Sequence, residues 1–373
     1  MFIYYVLLYS TLIFGLFESI IDYYAVKNNP PHSDIKTAPS TNHKKIITIL
    51  FFGLFTFVSA FRSDNVGIDL GNYFLYFFNP LLSDSLIGVL TAYYRSDIGF
   101  YLLTWLIGRF TDNFQIFMFA TSVIPLFLFF RFFYKESKII WLSIFIALGI
   151  GLLDNVFNIL RQAIAMGIIL HGYQYIKSQN LKKFLLCVFL AMTFHSTAIF
   201  CIPMYFVAQY KLNVLNAIKY ALLSFGLILG TSRLFGNLLV SFMVSGYQDG
   251  QYAVGGEGGY NMLLVLTGIL FMGLLFRNSV LFNDRKRLIT YNLVIMAVVL
   301  QLVSLNLSIF SRIVTYYTYF LAIFIPNIIS SIKDRYVRVL GIFITVAFFS
   351  VLFMKSLSDD LSGIVPYTFF WEN

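Results

Sequence analysis

Apolar runs long enough to cross a bilayer recur along this chain, and short stretches rich in lysine and arginine separate them. That alternation admits few folds. The hydrocarbon has no water to satisfy backbone N–H and C=O groups, so only helices or a closed barrel can span it. A barrel would need strands of alternating polarity, and no such pattern appears. Only 12% of the residues are charged, against roughly 25% in soluble domains. The chain reads as an all-α polytopic integral membrane protein, a single transmembrane domain over residues 1–373. The first segment, Phe2 to Ile21, lacks a basic leader and a small-residue cleavage site, and reads as a retained transmembrane helix.

The basic stretches are 25–45, 131–138, 177–183, 211–219, 277–287 and 333–338. The positive-inside rule makes them cytoplasmic. The N-terminus and the segments 62–97, 154–161, 233–260, 308–312 and 355–373 then fall outside. Residues 98–130 must cross once but exceed one helix, so a short re-entrant or interfacial helix is expected around 98–111, with a crossing at 113–131. Residues 184–208 form either a re-entrant hairpin with His195 near its tip or a single crossing with parity restored by 212–246. The total is about ten to twelve transmembrane or re-entrant helices. Residues 25–45 read as a flexible cytoplasmic loop. Residues 233–245 read as an interfacial helix, and 246–260 as a Gly/Tyr-rich outer loop, either a mobile connector or a closure over substrate. The net charge of +9 is explained by cytoplasmic loops against an anionic leaflet, so nucleic acid is not needed.

Four polar knots interrupt the apolar sequence. Polar groups are expensive in lipid, and those found there usually line a cavity or its mouth. The first knot runs from Phe61 to Tyr73, just after the second apolar run. Arg62 presents a planar fork suited to phosphate or carboxylate, and a snorkelling interfacial Arg fits equally. Asp64, Asp69, Asn72 and Tyr73 offer the carboxylate, amide and phenol that bind sugar hydroxyls, or else a hydrated turn around Gly67 and Gly71. The second knot, Arg161-Gln162, opens a helix expected over 157–177, where N–H groups and dipole attract anions; Asp154 is a ready partner for Arg161. The third is His195-Ser196-Thr197, with His195 either a general base or a satisfied core donor. The fourth, Ser311-Arg312, starts a helix expected over 313–331. Tyr316 and Tyr319 fall on its face, suiting a phosphosugar or an interfacial aromatic belt. Asp97 and Pro366-Tyr367 lie on the same outer side. Cys187 and Cys201 sit in apolar sequence and read as core residues. No His or Cys spacing suggests a metal site, and no cofactor is expected.

Taken in order, these knots resemble the EpsG-type branch of the Wzy polymerases of bacterial O-antigens, capsules and exopolysaccharides. The matching pieces are Phe61-Arg62, Val66-Gly67-Ile68-Asp69, Asn72-Tyr73, Leu160-Arg161-Gln162-Ala163-Ile164-Ala165, Phe194-His195-Ser196-Thr197-Ala198, Ser311-Arg312 and Ile364-Val365-Pro366-Tyr367. One departure is Asp97 in Ser96-Asp97-Ile98-Gly99-Phe100, where the family tends to carry Glu.

The resemblance implies a GT-C-like glycosyltransferase in the bacterial inner membrane, acting at the outer face and independent of metal. Its substrate would be an oligosaccharide repeat unit linked to undecaprenyl diphosphate, and a chain-length regulator protein would be a further partner. On this reading His195, Asp69, Arg161 and Arg312 carry the chemistry. Arg62, Asp64, Asn72, Tyr73, Asp97, Gln162, Tyr316 and Tyr367 bind substrate. The leaving diphosphate gains charge in the transition state, which preplaced cations stabilise. Rival readings are a flippase or transporter of the lipid-linked oligosaccharide, and an O-antigen ligase using the same donor. Clustering of the knots outside favours an enzyme. The lack of an internal repeat weighs mildly against a transporter.

Overall fold

The computed structural model describes residues 1–28, 41–92, 97–211, 259–275, 284–307 and 309–372, with isolated positions 219, 222 and 226. The interfacial helix at 233–245, the outer loop at 246–258 and most of the cytoplasmic loop at 25–45 fall outside the described residues. All regular elements among the described residues are helical. Five are long and apolar enough to cross a membrane: His43–Ala60, Phe114–Glu136, Arg285–Ser304, Phe310–Ile329 and Arg335–Asp359. Shorter apolar helices accompany them, so the chain is a multi-pass membrane protein.

The chain divides into two compact units. The first comprises Met1–His171, Phe189–Ser196 and Ile325–Asn373. Its helices begin with α1 (Phe2–Asn28), α2 (Thr41–Ala60), α3 (Leu70–Tyr73), a π-helical turn (Phe74–Phe78), α4 (Asn79–Leu81) and α5 (Leu86–Ala92). They continue with α6 (Ile98–Gly108), α7 (Phe114–Glu136), α8 (Ile140–Gly149), α9 (Leu152–Phe157), the first part of α10 (Leu160–Lys177) and the end of α11 (Leu181–Phe194). The expected short helix after Asp97 and the crossing that follows it are α6 and α7. The helix expected over 157–177 begins later, at Leu160, because the chain turns at Asn158 after α9.

Packing in this unit follows the aromatic content. Phe55 and Phe52 of α2 meet Phe130 of α7 edge to face, at 5.5 and 6.0 Å. Every residue of α8 is buried, as expected of a helix that is apolar all round. At about 1.5 Å per residue, α8 is far short of the roughly 30 Å hydrocarbon core, so it fills the interior instead of spanning. The last long helix, α17 (Arg335–Asp359), behaves oppositely: only 17% of its apolar window is buried. Leu340, Phe343 and Val351 stand exposed, on a surface that suits lipid.

One end of this unit is tied by Arg62 and residues 360–370. Arg62 is fully buried. Its Nε donates to the Val66 carbonyl at 3.3 Å and its Nη2 to Phe157 O at 3.3 Å. Its Nη1 donates to Ser59 O and to Ser122 Oγ, and its Cζ lies 4.5 Å from the Phe157 ring centroid. Burial pulls the guanidinium down to about 10, against the opposing pull of Tyr367 and Tyr4. Every nitrogen of this guanidinium thus serves a protein acceptor, a setting that neither a phosphate fork nor a snorkelling side chain describes.

Around Arg62 the tail pairs with the loop. Ser63 N–H donates to Thr368 O at 2.9 Å, Gly67 N–H to Gly363 O at 2.8 Å and Phe370 N–H to Phe61 O at 3.1 Å. Gly363 has φ +58, and a Cβ there would lie 2.6 Å from Ile68 Cγ2. Tyr367 donates to Val58 O at 2.9 Å and stands edge-on to Tyr4. Asn158 Nδ2 donates to Ser362 O at 3.1 Å, and Asn158 Oδ1 accepts from Asp69 N–H at 3.4 Å. Within the segment 62–97, read from sequence as a loop, the described residues 62–92 hold short helices and turns.

The second unit comprises Gly172–Val188 and Thr197–Phe324. It holds a 3-10 segment (Ser196–Cys201, from Thr197 on), α12 (Ile202–Val207), α13 (Gly259–Leu275), α14 (Arg285–Ser304), α15 (Ile309–Thr318) and the start of α16 (Leu321–Ile329). Tyr291 of α14 donates to Leu270 O of α13 at 2.8 Å. Asn292 Nδ2 donates to Tyr210 O at 2.8 Å, which satisfies carbonyls left open at the end of α12. The helix expected over 313–331 is two helices: it breaks at Tyr319-Phe320, where i→i+3 bonds replace the α pattern.

Candidate functional site

The third and second polar knots meet in the first unit, and Asp97 joins them. Asp97 stands just before α6 in the left-handed region, φ 55 and ψ 30, a conformation Asp tolerates better than most residues. Two residues on, Gly99 lets α6 press against the end of α11. A Cβ at Gly99 would lie 2.4 Å from Thr193 Oγ1 and 3.0 Å from the Thr193 carbonyl. This close approach brings the Asp97 carboxylate to the break after Phe194, where α11 ends.

The Asp97 side chain is buried and its oxygens are divided. Oδ1 accepts from the Ser196 N–H at 3.1 Å. Oδ2 pairs with Arg161 Nη1 at 2.5 Å and lies 3.6 Å from His195 Nδ1. Arg161 stands in the first turn of α10 and keeps 20% of its side chain exposed; His195 is nearly buried. Asp154, the partner suggested by sequence, accepts from Ser356 Oγ at 3.3 Å through its Oδ2, while Arg161 pairs with Asp97. A buried carboxylate between two cationic or basic groups satisfies the rule that buried charges are paired.

An aromatic wall completes the site. Leu70, Tyr73, Phe77, Phe78, Phe100, Phe117, Leu160 and Ile164 form one buried cluster. Arg161 Cζ lies 4.9 Å from the Phe77 ring centroid. Burial raises the Tyr73 phenol above its ordinary value, and the Arg161 guanidinium beside it acts in the opposite direction. Gln162, next along α10, is buried.

The remaining predicted residues divide. Asn72, in α3, and Asp64 are exposed, and Asp69 is half-buried with its N–H held by Asn158. Arg62 and Tyr367 belong to the buried tie between loop and tail. Arg312 and Tyr316 lie in the second unit, where Tyr316 is buried with its hydroxyl 3.3 Å from Thr197 Oγ1. No group of three or more metal-ligating side chains occurs among the described residues.

Sequence reasoning passed over Phe77, Asn158 and the Ser196 N–H. Phe77 sits in a run of aromatics that reads only as core, Asn158 was hidden in the start of a helix placed too early, and a backbone donor leaves no trace in side-chain chemistry.

A family model described as EpsG family matches residues 45–369. The chain belongs to the EpsG family. The match covers Asp97, Arg161, His195 and every other predicted site residue. This EpsG family membrane protein is linked to polysaccharide synthesis. No match is found among the curated proteins or among the solved structures.

Proposed function

We propose that this EpsG family protein is a membrane glycosyltransferase that polymerises oligosaccharide repeat units linked to undecaprenyl diphosphate at the outer face of the bacterial inner membrane. One observation carries the reading: a buried Asp97 carboxylate gathers Arg161 at 2.5 Å and His195 at 3.6 Å in one place. This pairs a cation for a leaving diphosphate with a base for an acceptor hydroxyl.

The acceptor hydroxyl oxygen attacks the anomeric carbon of the donor sugar. The bond from that carbon to the diphosphate oxygen breaks, and the electron pair leaves with the lipid diphosphate. His195 takes the acceptor proton, and Asp97 stabilises the imidazolium formed, in the manner of other carboxylate–histidine pairs. Arg161 meets the charge growing on the leaving group, where a preplaced cation contributes most. Direct displacement inverts the anomeric centre. Asp69, Asn72 and Tyr73 orient sugar hydroxyls. Arg312 is proposed as a second cation for the diphosphate, to be judged by substitution alone. No step calls for a metal.

The test is the glycan ladder of a deletion strain complemented with wild type, Arg161→Ala or His195→Ala at matched protein levels. Single repeat units in the deletion, and failure of both variants to restore long chains, support the polymerase. An unchanged ladder sinks it. Units held on the cytoplasmic side point instead to a flippase, and normal polymer left unattached to its acceptor points to a ligase.

A further inference from the structure

The π-helical turn between α3 and α4 has a use that its sequence, all aromatic and aliphatic, does not announce. The turn is closed by the Asn79 N–H donating to the Phe74 carbonyl, five residues back. Such turns are rare and frequently accompany functional sites. Here the turn lies between two packing tasks. Phe78 faces α7, with ring centroids 5.6 Å from Phe114 and 5.1 Å from Phe117. Its neighbour Phe77 faces α6: it stacks on Tyr101 at 4.9 Å with planes 29° apart, and meets Phe100 edge-on at 5.5 Å. Tyr73 adds a third neighbour at 5.4 Å. The Phe77 ring is held on several sides, and Arg161 Cζ lies 4.9 Å from its centroid.

We propose that Phe77 is a positioning residue for Arg161, its ring face fixing the plane of the guanidinium while Asp97 fixes one end. The inference rests on the function proposed above. Asp97 takes Nη1 and the Tyr73 side chain hydrogen-bonds the same guanidinium; the ring face adds a surface that resists tilting of its plane. Cation–π attraction strengthens when the cation is withdrawn from water, and Arg161 is mostly withdrawn. A cation held in its working orientation does not have to reorganise as the leaving group gains charge. The caging of Phe77 by Tyr101, Phe100 and Tyr73 keeps the platform still.

The experiment uses full-length protein purified in detergent and, as substrate, the undecaprenyl-diphosphate-linked repeat units extracted from the deletion strain. Phe77→Leu keeps an apolar side chain and removes the ring; Phe77→Tyr keeps the ring face. We expect Phe77→Leu to lower kcat about tenfold, with KM and the unfolding midpoint near wild type. Phe77→Tyr should recover most of the lost kcat. In an Arg161→Lys background, the same Phe77→Leu change should cost less than in wild type, since a compact ammonium has no plane to fix. If Phe77→Leu lowers protein yield, Phe77→Met takes its place.

Three results overturn the proposal: kcat unchanged in Phe77→Leu, equal loss in Leu and Tyr variants together with a lowered unfolding midpoint, or full additivity with Arg161→Lys. An Arg161→Ala variant as active as wild type overturns it too, and does so by removing the proposed function itself. Loss in Arg161→Ala with none in Phe77→Leu removes only the role of Phe77.

Discussion

Arg62 and Arg161 look alike in the sequence: each lies in a polar knot on the same inferred side of the membrane. The structure gives them opposite settings. Arg62 is fully buried, and its guanidinium is spent on carbonyls from Ser59, Val66 and Phe157 and on the Ser122 hydroxyl. Arg161 pairs with a carboxylate that lies close to His195, is hydrogen-bonded with Tyr73, lies over the Phe77 ring, and keeps part of its side chain exposed. An arginine bound by many neutral carbonyls joins segments of chain. An arginine paired with one carboxylate beside a histidine, and reachable from outside, can exchange part of its partnership for a ligand. The difference lies in the acceptors and not in the arginine.

That contrast can be broken by substitution, and the largest effect is expected at Arg62. Arg62→Ala leaves several buried carbonyls without a donor, a loss on the order of 3–5 kcal/mol by comparison with broken buried pairs. It should sharply reduce the folded protein recovered from membranes. Arg62→Lys should rescue it only in part, because three rotatable donors cannot reproduce the fork. A well-folded but inactive Arg62→Ala would erase the distinction.

Arg161→Ala should do the reverse, with folded yield kept and polymerisation rate down roughly 100- to 1,000-fold. Asp97→Asn sharpens the point, since it can still accept from the Ser196 N–H but loses the charge that gathers Arg161 and His195. Misplacing those groups should cost on the order of 100-fold in rate, measured on the same extracted lipid-linked units. An Asp97→Asn variant at wild-type rate would show that the carboxylate is ornamental to catalysis.

A third charged pair calibrates the small end. Asp284 caps α14, accepting from Lys286 N–H at 2.8 Å and from Arg287 Nε at 3.2 Å. Burial acts to raise its carboxyl, but the Lys286 N–H and then Arg287 outweigh it and hold the carboxyl below the ordinary value. A depressed folded pKa means stability that is present at neutral pH. It is lost as pH falls below the ordinary 3.8 and through the lower folded value. Asp284→Ala should cost about 1 kcal/mol at pH 7, as a lost cap does. Its unfolding midpoint should converge on that of wild type in strong acid. The side chain is 37% exposed, so salt screens the ionic part.

The helical membrane architecture was legible because hydrocarbon forces it: a run of apolar residues has few other options. The short helix after Asp97 and the crossing behind it were legible for the same reason. The site was legible in its parts. Arg161, His195 and Asp97 were each singled out, but their meeting was not, since Asp154 is nearer to Arg161 in sequence and Asp97 is remote from it. Distance along the chain is a poor guide once Gly99 allows two helices to touch. The buried setting of Arg62 was not legible, because a guanidinium's own sequence neighbours do not reveal whether backbone carbonyls will converge on it. Three of its acceptors come from the following loop, from α7 and from the end of α9, visible only after folding. The break at Tyr319-Phe320 was missed because the apolar pattern runs straight through it.

The pairing of the tail with the loop after α2 has a consequence for the order of events in the cell. Residues 360–370 leave the ribosome after every helix described here has been made, yet they complete the backbone bonding of Phe61, Ser63, Gly67 and Ile68. The loop that carries Asp69 therefore stays unfinished until residues 360–370 have been made. A chain cut before residue 360 would keep its long helices but leave an open seam beside Phe61–Ile68.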